Sequence, residues 1–372
     1  MQIKIKMFLI FTIVAVLIFP TTLVSATDTV GNSGNSSYEE FDINKNRSDK
    51  NYTAPNGLRF ILHTDRNTAT VTGYSYMGQE GRVLSIPGTL NVEGRVYIVD
   101  AINDFALADR NLTSVSIPEH ISRIGRGALA TNSLTEVILP NSLTTIESNV
   151  LANNQLISVF IPNSVMSIKD GAFEYNNLTS ISIPNSVTSI GAAAFNRNKL
   201  TSVTLPNSLT TIEDQVFWGN ELTTVSIPPS VRSIGVMAFD SNRLTSVEIP
   251  NSVTSIGAAA FYNNQLTSIR IPNSLNRLER SVFGKNQLTN VVIPHSVTTI
   301  ENDAFFSNNI ATAFIPNSVT SIGIEVFSVN PLQYIYTDDG NADTLKSMLT
   351  NMVLISKHQM QGYIMLSLIL QY

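Results

Sequence analysis

A 22-residue unit closing on an Ile-Pro or Leu-Pro step runs in unbroken register through most of this chain, with prolines at Pro118, Pro140, Pro162, Pro184, Pro206, Pro228, Pro250, Pro272, Pro294 and Pro316. A fixed period of this length restricts the chain to a solenoid, in which each unit buries its apolar face only by stacking on its neighbours. Repeats of this kind build long surfaces rather than enclosed chambers. The functional question therefore becomes what the surface holds.

One unit shows the logic. In Leu178-Thr-Ser-Ile181-Ser-Ile183-Pro184, the apolar residues follow the L-x-x-L-x-L spacing of a leucine-rich repeat. A short strand there points alternate side chains into the coil. Pro184 ends that strand, because it has no N–H for another ladder bond. Val187 and Ile190 read as a second extended stretch, and 192–195 suits a single helical turn on the opposite side.

Three columns recur along the stack. Phe173, Phe195, Phe217, Phe239, Phe261, Phe283, Phe305 and Phe327 occupy one position, with Leu129 and Leu151 in the first two units. Stacking aligns them into a core spine. An asparagine fills another column in all ten units, from Asn132 through Asn198 to Asn330. Beside a core, it is expected to bond backbone groups of its own turn and of the next coil. In the third column Gly125, Gly191, Gly235, Gly257 and Gly323 alternate with Glu147, Lys169, Glu213, Glu279 and Glu301. A backbone that required positive φ would not readily accept Glu or Lys, so these glycines read as tolerated rather than demanded. A longer period of 66 residues is also present, since the units at Pro184, Pro250 and Pro316 share Asn-Ser-Val-Thr-Ser-Ile-Gly.

The unit Leu-x-x-Val/Ile-x-Ile-Pro-x-Ser-Val/Leu-x-x-Ile-x-x-x-Ala-Phe-x-x-Asn resembles the BspA-like, or Treponema pallidum-type, leucine-rich repeats, over about Leu112 to Asn330. The resemblance implies a right-handed solenoid with a parallel concave β-sheet and short strand or helical-turn backs. Residues 57–111 resemble the family's N-terminal cap, with strands at Leu58–Leu62 and Ala69–Tyr74. From Pro87 to Pro118 is 31 residues, nine more than one unit, which places an inserted loop near Asn91 to Tyr97. Family members are typically bacterial surface or secreted proteins, and some bind host matrix and plasma proteins such as fibronectin and fibrinogen. An adhesin-like role is what this implies here. The family offers no shared binding residue to carry over.

The chain ends frame the repeats, which span 112–332. Met1 to Ala26 has the basic start, apolar run and small-residue cut site of a secretory signal. That implies a secreted or cell-surface location, with no stable membrane span in the mature chain. Residues 27–56 are polar and read as a flexible tether; 333–357 read as a C-terminal cap, and 358–372 form an apolar tail of unassigned role. No cysteine occurs, which removes disulfides, thiolate metal sites and cysteine nucleophiles. Without Lys4 and Lys6, the formal charge of -5 becomes -5 - 2 = -7 for the mature chain. That mild acidity, free of Lys/Arg runs, argues against nucleic acid as the partner.

Catalytic chemistry has little foothold. His63, His120, His295 and His358 are scattered without metal spacing, and no G-x-S-x-G, H-E-x-x-H or G-x-x-x-x-G-K motif occurs. Asp338-Asp339-Gly340-Asn341 lacks the ligand spacing of a calcium loop and reads as a turn and helix cap. Glu213 and Glu279 share a column but lie three coils apart, about 14 Å by strand spacing, too far for a glycosidase pair. No cofactor and no metal is expected, and an enzyme is the remotest reading.

Two rows remain as candidate binding surfaces. The outward strand position two before each proline is Ser or Thr in four units and carries Ile138, Phe160, Glu248, Arg270, Val292 and Phe314 in the others, while its neighbours along the strand are mostly Thr and Ser. Ten strands make a face about 45 Å long. Ser and Thr are ordinary solvated strand residues, and Glu248 beside Arg270 reads as a cross-strand pair. The paired apolar residues are what suggests binding. A second row just after the spine holds Trp218, Tyr262 and Phe306, which either cover the core or offer platforms to a protein or glycan. Coverage is the simpler role. The combined expectation is an exported, non-catalytic protein that binds an extracellular protein or glycan; the rival is an envelope scaffold without a ligand.

Overall fold

A computed structural model describes residues 49–75 and 82–338 of the chain. The signal segment 1–26, the tether up to residue 48, the apolar tail and most of the C-terminal cap lie outside the described residues. The chain is a β-solenoid whose coils repeat every 22 residues, with no helix among the described residues.

The N-terminal cap begins earlier than the sequence suggests. β1 (Lys50–Thr53) pairs antiparallel with β2 (Leu58–His63), so the tether ends before residue 50 rather than at 56. Its polar residues concealed a strand because only one face packs, and Tyr52 leans on Phe60 with ring centroids 6.4 Å apart. β2 continues antiparallel into β3 (Thr68–Tyr74). β4 (Arg82–Ser85) runs parallel to a later strand of the first repeat. The inserted nine residues prove to be a hairpin, β5 (Thr89–Val92) to β6 (Arg95–Ile102), turned at Glu93 and Gly94. Both turn residues have positive φ, 54° and 80°, the geometry that matches strand twist in a two-residue hairpin. β6 then pairs parallel with β3 on one side and with Arg123–Ile124 on the other, passing the sheet into the repeats. β7 (Leu112–Ser116) completes the junction by pairing with β4.

Each coil then makes two extended stretches and a tight back. The more regular ladder follows the second stretch: Thr145–Ile146, Ser167–Ile168 and Ser189–Ile190 pair in parallel at 22-residue register, as do the later Ser-Ile steps. The first stretch, expected to be the main sheet, pairs as single bridges in mid-stack (Ser182 with Thr204, Thr204 with Ser226, Ser226 with Glu248). It becomes a full three-residue ladder only at Asn290–Val292, Thr312–Phe314 and Tyr334–Tyr336. The prolines contribute to this, since each ends the stretch and removes a donor. Their carbonyls are reused, as Val187 N–H donates to Pro184 O at 3.0 Å and its equivalents do the same along the stack.

The back is a chain of turns, not the expected helical turn. Ala193 and Arg197 hold φ of 55° and 50°, and the same two columns are left-handed in coil after coil. A helix cannot continue through such residues. Their amides turn outward to the next coil: Ala193 N–H donates to Asp214 O, Phe195 to Val216 O and Arg197 to Trp218 O. The intervening amides of Ala194 and Asn196 close turns on Gly191 O and Ala193 O. A left-handed non-glycine residue costs roughly 1–2 kcal/mol, and this doubled network holds it in place.

The core is continuous. Rings of the phenylalanine column stack face to face, with centroids 5.4–5.8 Å apart and planes within 4–20°. Next to them the asparagine column is buried and tied on both sides. Asn198 Nδ2 donates to Phe173 O of the preceding coil at 2.9 Å and to Phe195 O of its own at 3.2 Å. Its Oδ1 accepts from Leu178 N–H at 3.0 Å. The partner coil is thus the preceding one rather than the next.

The glycine column needs a different account from the one its mixed composition suggested. None of these five glycines has positive φ, as expected, yet a Cβ at Gly191 would lie 2.6 Å from Asp170 N, and at Gly323 2.4 Å from Asn302 N. The preceding coil presses in because its Asp or Asn caps the next amide: Ala192 N–H donates to Asp170 Oδ1, and Ile324 N–H to Asn302 Oδ1. Arg126 on Asp104 and Val236 on Asp214 repeat the arrangement. Glycine is demanded where that cap is present. Gly257, which follows Val236, is tight without such a cap.

Two substitutions test these columns. Asn242→Ala leaves Leu222 N–H without its partner and removes one of two donors from each of the carbonyls of Phe217 and Phe239, which keep Asn220 and Asn264. It should cost about 2 kcal/mol in a denaturant melt, since a stranded buried group costs roughly 1–3 kcal/mol. Gly191→Glu should destabilise comparably although the chain already carries Glu in that column, whereas Glu279→Gly should change stability by less than about 1 kcal/mol.

Candidate binding surfaces

The outward strand column is exposed as its alternation requires. Ile138 is 76% exposed, Phe160 69% and Val292 61%, while Phe314 is half-buried with the His295 ring against its edge at 6.0 Å. Glu248 and Arg270 also face solvent, and among the described residues no ion pair within 4.0 Å joins them, so the cross-strand pair does not form. Adjacent strands slant, and long side chains on one face need not meet.

Two apolar clusters interrupt this otherwise polar face. Toward the N-terminal side, Ile138 and Phe160 stand at equivalent places on successive coils. Ile157, 56% exposed, lies on the same coil as Phe160. Toward the C-terminal side, Val292, Phe314 and Tyr336 follow one another in strict parallel register. Tyr334 joins them, its ring 6.4 Å from that of Tyr336, and both tyrosines are more than half exposed. Sequence reasoning missed Tyr334 and Tyr336 by assigning them to a cap. The signal was there: Leu332, Ile335 and Thr337 continue the repeat spacing past the last proline.

The second row has a mixed environment. Trp218, Tyr262 and Phe306 are half-buried rather than standing free. Arg197 lies between two rings, its Cζ 4.5 Å from the Trp218 ring centre and 5.3 Å from that of Tyr175. Lys285 Nζ sits 5.2 Å over Tyr262. The row therefore clads the spine, with cations laid against the cladding. Between Trp218 and Tyr262 in the same column is Asp240, 7% exposed, with Ser241 Oγ donating to its Oδ1 at 2.8 Å. Burial pushes its carboxyl up to about 6, partly offset by that hydrogen bond and by Lys285.

Other acids are structural. Glu213 is raised by partial burial and by its neighbours Asp214 and Asp170, but those two carboxylates cap the amides of the coils that follow them. Among the described residues no group of three or more His, Asp or Glu is arranged to hold a metal. No described helix is long and apolar enough to cross a membrane.

Asp240 yields a pH test. Its native carboxyl binds a proton more tightly than the ordinary value of 3.8, so between pH 3.8 and about 6 the folded chain holds more protons than the unfolded one. Stability from this group is greatest below pH 3.8 and falls as pH rises through about 6. Asp240→Asn should raise stability at pH 7.5 by about 2 kcal/mol and flatten the decline in Tm between pH 3.8 and about 6.

Comparison with known proteins places these surfaces on a shared scaffold. The model of the BspA type leucine rich repeat region matches residues 100–222 and 210–333, in six copies. No curated protein matches the sequence. Among solved structures, a leucine rich cell surface protein from Faecalibacterium prausnitzii is 27% identical, with 79% of this chain and 96% of that one covered and a TM-score of 0.47. The pneumococcal vaccine antigen PcpA is 18% identical over 77% of this chain and 87% of its own, with a TM-score of 0.56. The Treponema pallidum leucine rich repeat protein is 22% identical over 56% of this chain and 87% of its own, with a TM-score of 0.38. With its repeats matched from end to end, this chain belongs to the BspA-type leucine-rich-repeat family.

Proposed function

We propose that the chain is an exported, surface-displayed binding protein, adhesin-like and non-catalytic, whose strand face grips an extracellular macromolecule at its two apolar clusters. The observation that carries this is the placement of exposed Ile138 and Phe160 at one end and Val292, Phe314 and Tyr336 at the other, with Ser182, Thr204, Ser226, Glu248 and Arg270 between them in the same column. Large apolar side chains held outward cost solubility, and grouped as here they mark contact surfaces more often than scattered ones do. Aromatic residues fixed on strands bind with little further loss of side-chain freedom. The signal-like Met1 to Ala26 and membership of a family with surface adhesins support the export and the role. The hydroxyl-bearing centre around Ser226, Glu248 and Arg270 fits a polar rim between the two anchors.

Immobilised chain spanning residues 27–372 should retain fibronectin, fibrinogen or a surface glycoprotein from host cells. A Phe160→Ser, Phe314→Ser double variant with an unchanged melting curve should bind at least tenfold more weakly, as loss of two anchors of roughly 1–2 kcal/mol each implies. Equal binding by that variant would move the site off the strand face. Absence of any binding would instead favour an envelope scaffold.

A further inference from the structure

We propose that the turn edge at Trp218 is a separate site for an acidic sugar residue of a glycan chain. Residues Arg197, Lys199, Trp218, Gly219 and Ser241 line an open cleft there, with the structural Asn176 and Asn198 behind them. Gly219 makes the opening. Its column is left-handed throughout, and Tyr175, Arg197, Ser241, Asn263 and Lys285 all fill it with side chains at φ of 50–55°. A Cβ at Gly219 would meet nothing closer than Arg197 Cγ at 3.5 Å, an ordinary contact, so the stack itself does not demand glycine there. What the missing side chain does is bare the border of Trp218.

The chemistry of the lining selects the ligand. Arg197 already lies over the Trp218 ring, and the indole border that Gly219 leaves bare offers an apolar edge to the C–H groups of a pyranose. Beside it, Arg197 is held between Tyr175 and Trp218 and so presents a pre-positioned, weakly hydrated guanidinium to a carboxylate or sulfate. Lys199 adds a second cation, and Ser241, whose hydroxyl donates to Asp240 and accepts from Asn263, closes the far wall. Of the acids nearby, Glu221 pairs with Arg243 at 3.0 Å and Asp240 accepts from Ser241, while Glu174 feels the charge of Arg197 without an ion pair within 4.0 Å. Two coils further on, about 10 Å by strand spacing, Tyr262 also carries a cation, Lys285, which there comes from the following coil rather than the preceding one. That periodic spacing suits alternate sugars of an extended acidic polysaccharide better than an acidic peptide. This inference rests on the reading of the chain as a binding protein but uses a different surface.

Titration calorimetry with a hyaluronan hexasaccharide (carboxylates only), a heparin hexasaccharide (sulfate-rich), chitohexaose and a hexaglutamate peptide tests it on the full mature chain. At least one acidic hexasaccharide should bind, and the neutral sugar and the peptide should not. Gly219→Asn fills the cleft with a residue that the same column already carries at Asn263, so it should fold with an unchanged Tm and weaken binding at least tenfold. Arg197→Ala should weaken it similarly. The Phe160→Ser, Phe314→Ser variant should bind these oligosaccharides like the unmodified chain, which separates failure here from failure of the strand-face proposal. Undetectable binding of both acidic hexasaccharides at millimolar concentration, undiminished binding by Gly219→Asn, or equal binding of the peptide would each overturn the proposal.

Discussion

One coil of this protein has too little apolar surface to hold itself closed, and the asparagine at the end of each back supplies the missing connection. The Asn198 side chain touches only backbone, and it touches two coils at once: Leu178 N–H and Phe173 O before it, Phe195 O within its own. A side chain that bonded only its own turn would stiffen a coil without joining it to anything. By reaching back across the stack, each asparagine makes closure of one coil and docking on the last a single event. The phenylalanine rings beside it then fill a channel whose width the amide bonds have already set. Stability in such a stack is close to a sum of coil and interface contributions, so the loss of one asparagine acts on both kinds at once.

Much of this was readable beforehand because a repeat samples the same physics many times over. The spine and the asparagine column stand out because eight and ten copies, respectively, keep one residue type at the same offset, and the outward position before each proline follows from its place in the same register. The back of the coil was less legible. Ala192 to Phe195 carries good helix formers, and nothing in Ala193 or Arg197 announces a left-handed backbone. Bonds to the following coil impose that conformation, and local preference yields to them. Lys50–Thr53 was hidden for the reverse reason, as polar residues in an edge strand look like tether when only one partner strand is involved.

The candidate surfaces split in the same way. Phe160 and Val292 were identifiable because each is apolar at an outward strand position and has a second apolar residue, Ile138 or Phe314, beside it on the adjacent coil. Tyr334 and Tyr336 escaped because the proline that marks the register is missing after them. The cleft at Trp218 depends on an absence, the side chain that Gly219 lacks, and an absence becomes visible only when a turn's neighbours are placed around it.

The contact between the glycine column and the capping Asp or Asn of the coil before it bears on how such a chain can change length. A coil that offers a capping Asp170 can be followed only by one that leaves room for it, as Gly191 does. Excising the unit of Gly191 alone would set Glu213 after Asp170 and jam the joint. Excising the unit of Glu213 alone would instead set Gly235 after Ala192, a seam with no cap to accommodate. Where this solenoid can be lengthened or shortened in its genes is therefore decided seam by seam, since every cut must leave a glycine after each capping Asp104, Asp170, Asp214 or Asn302.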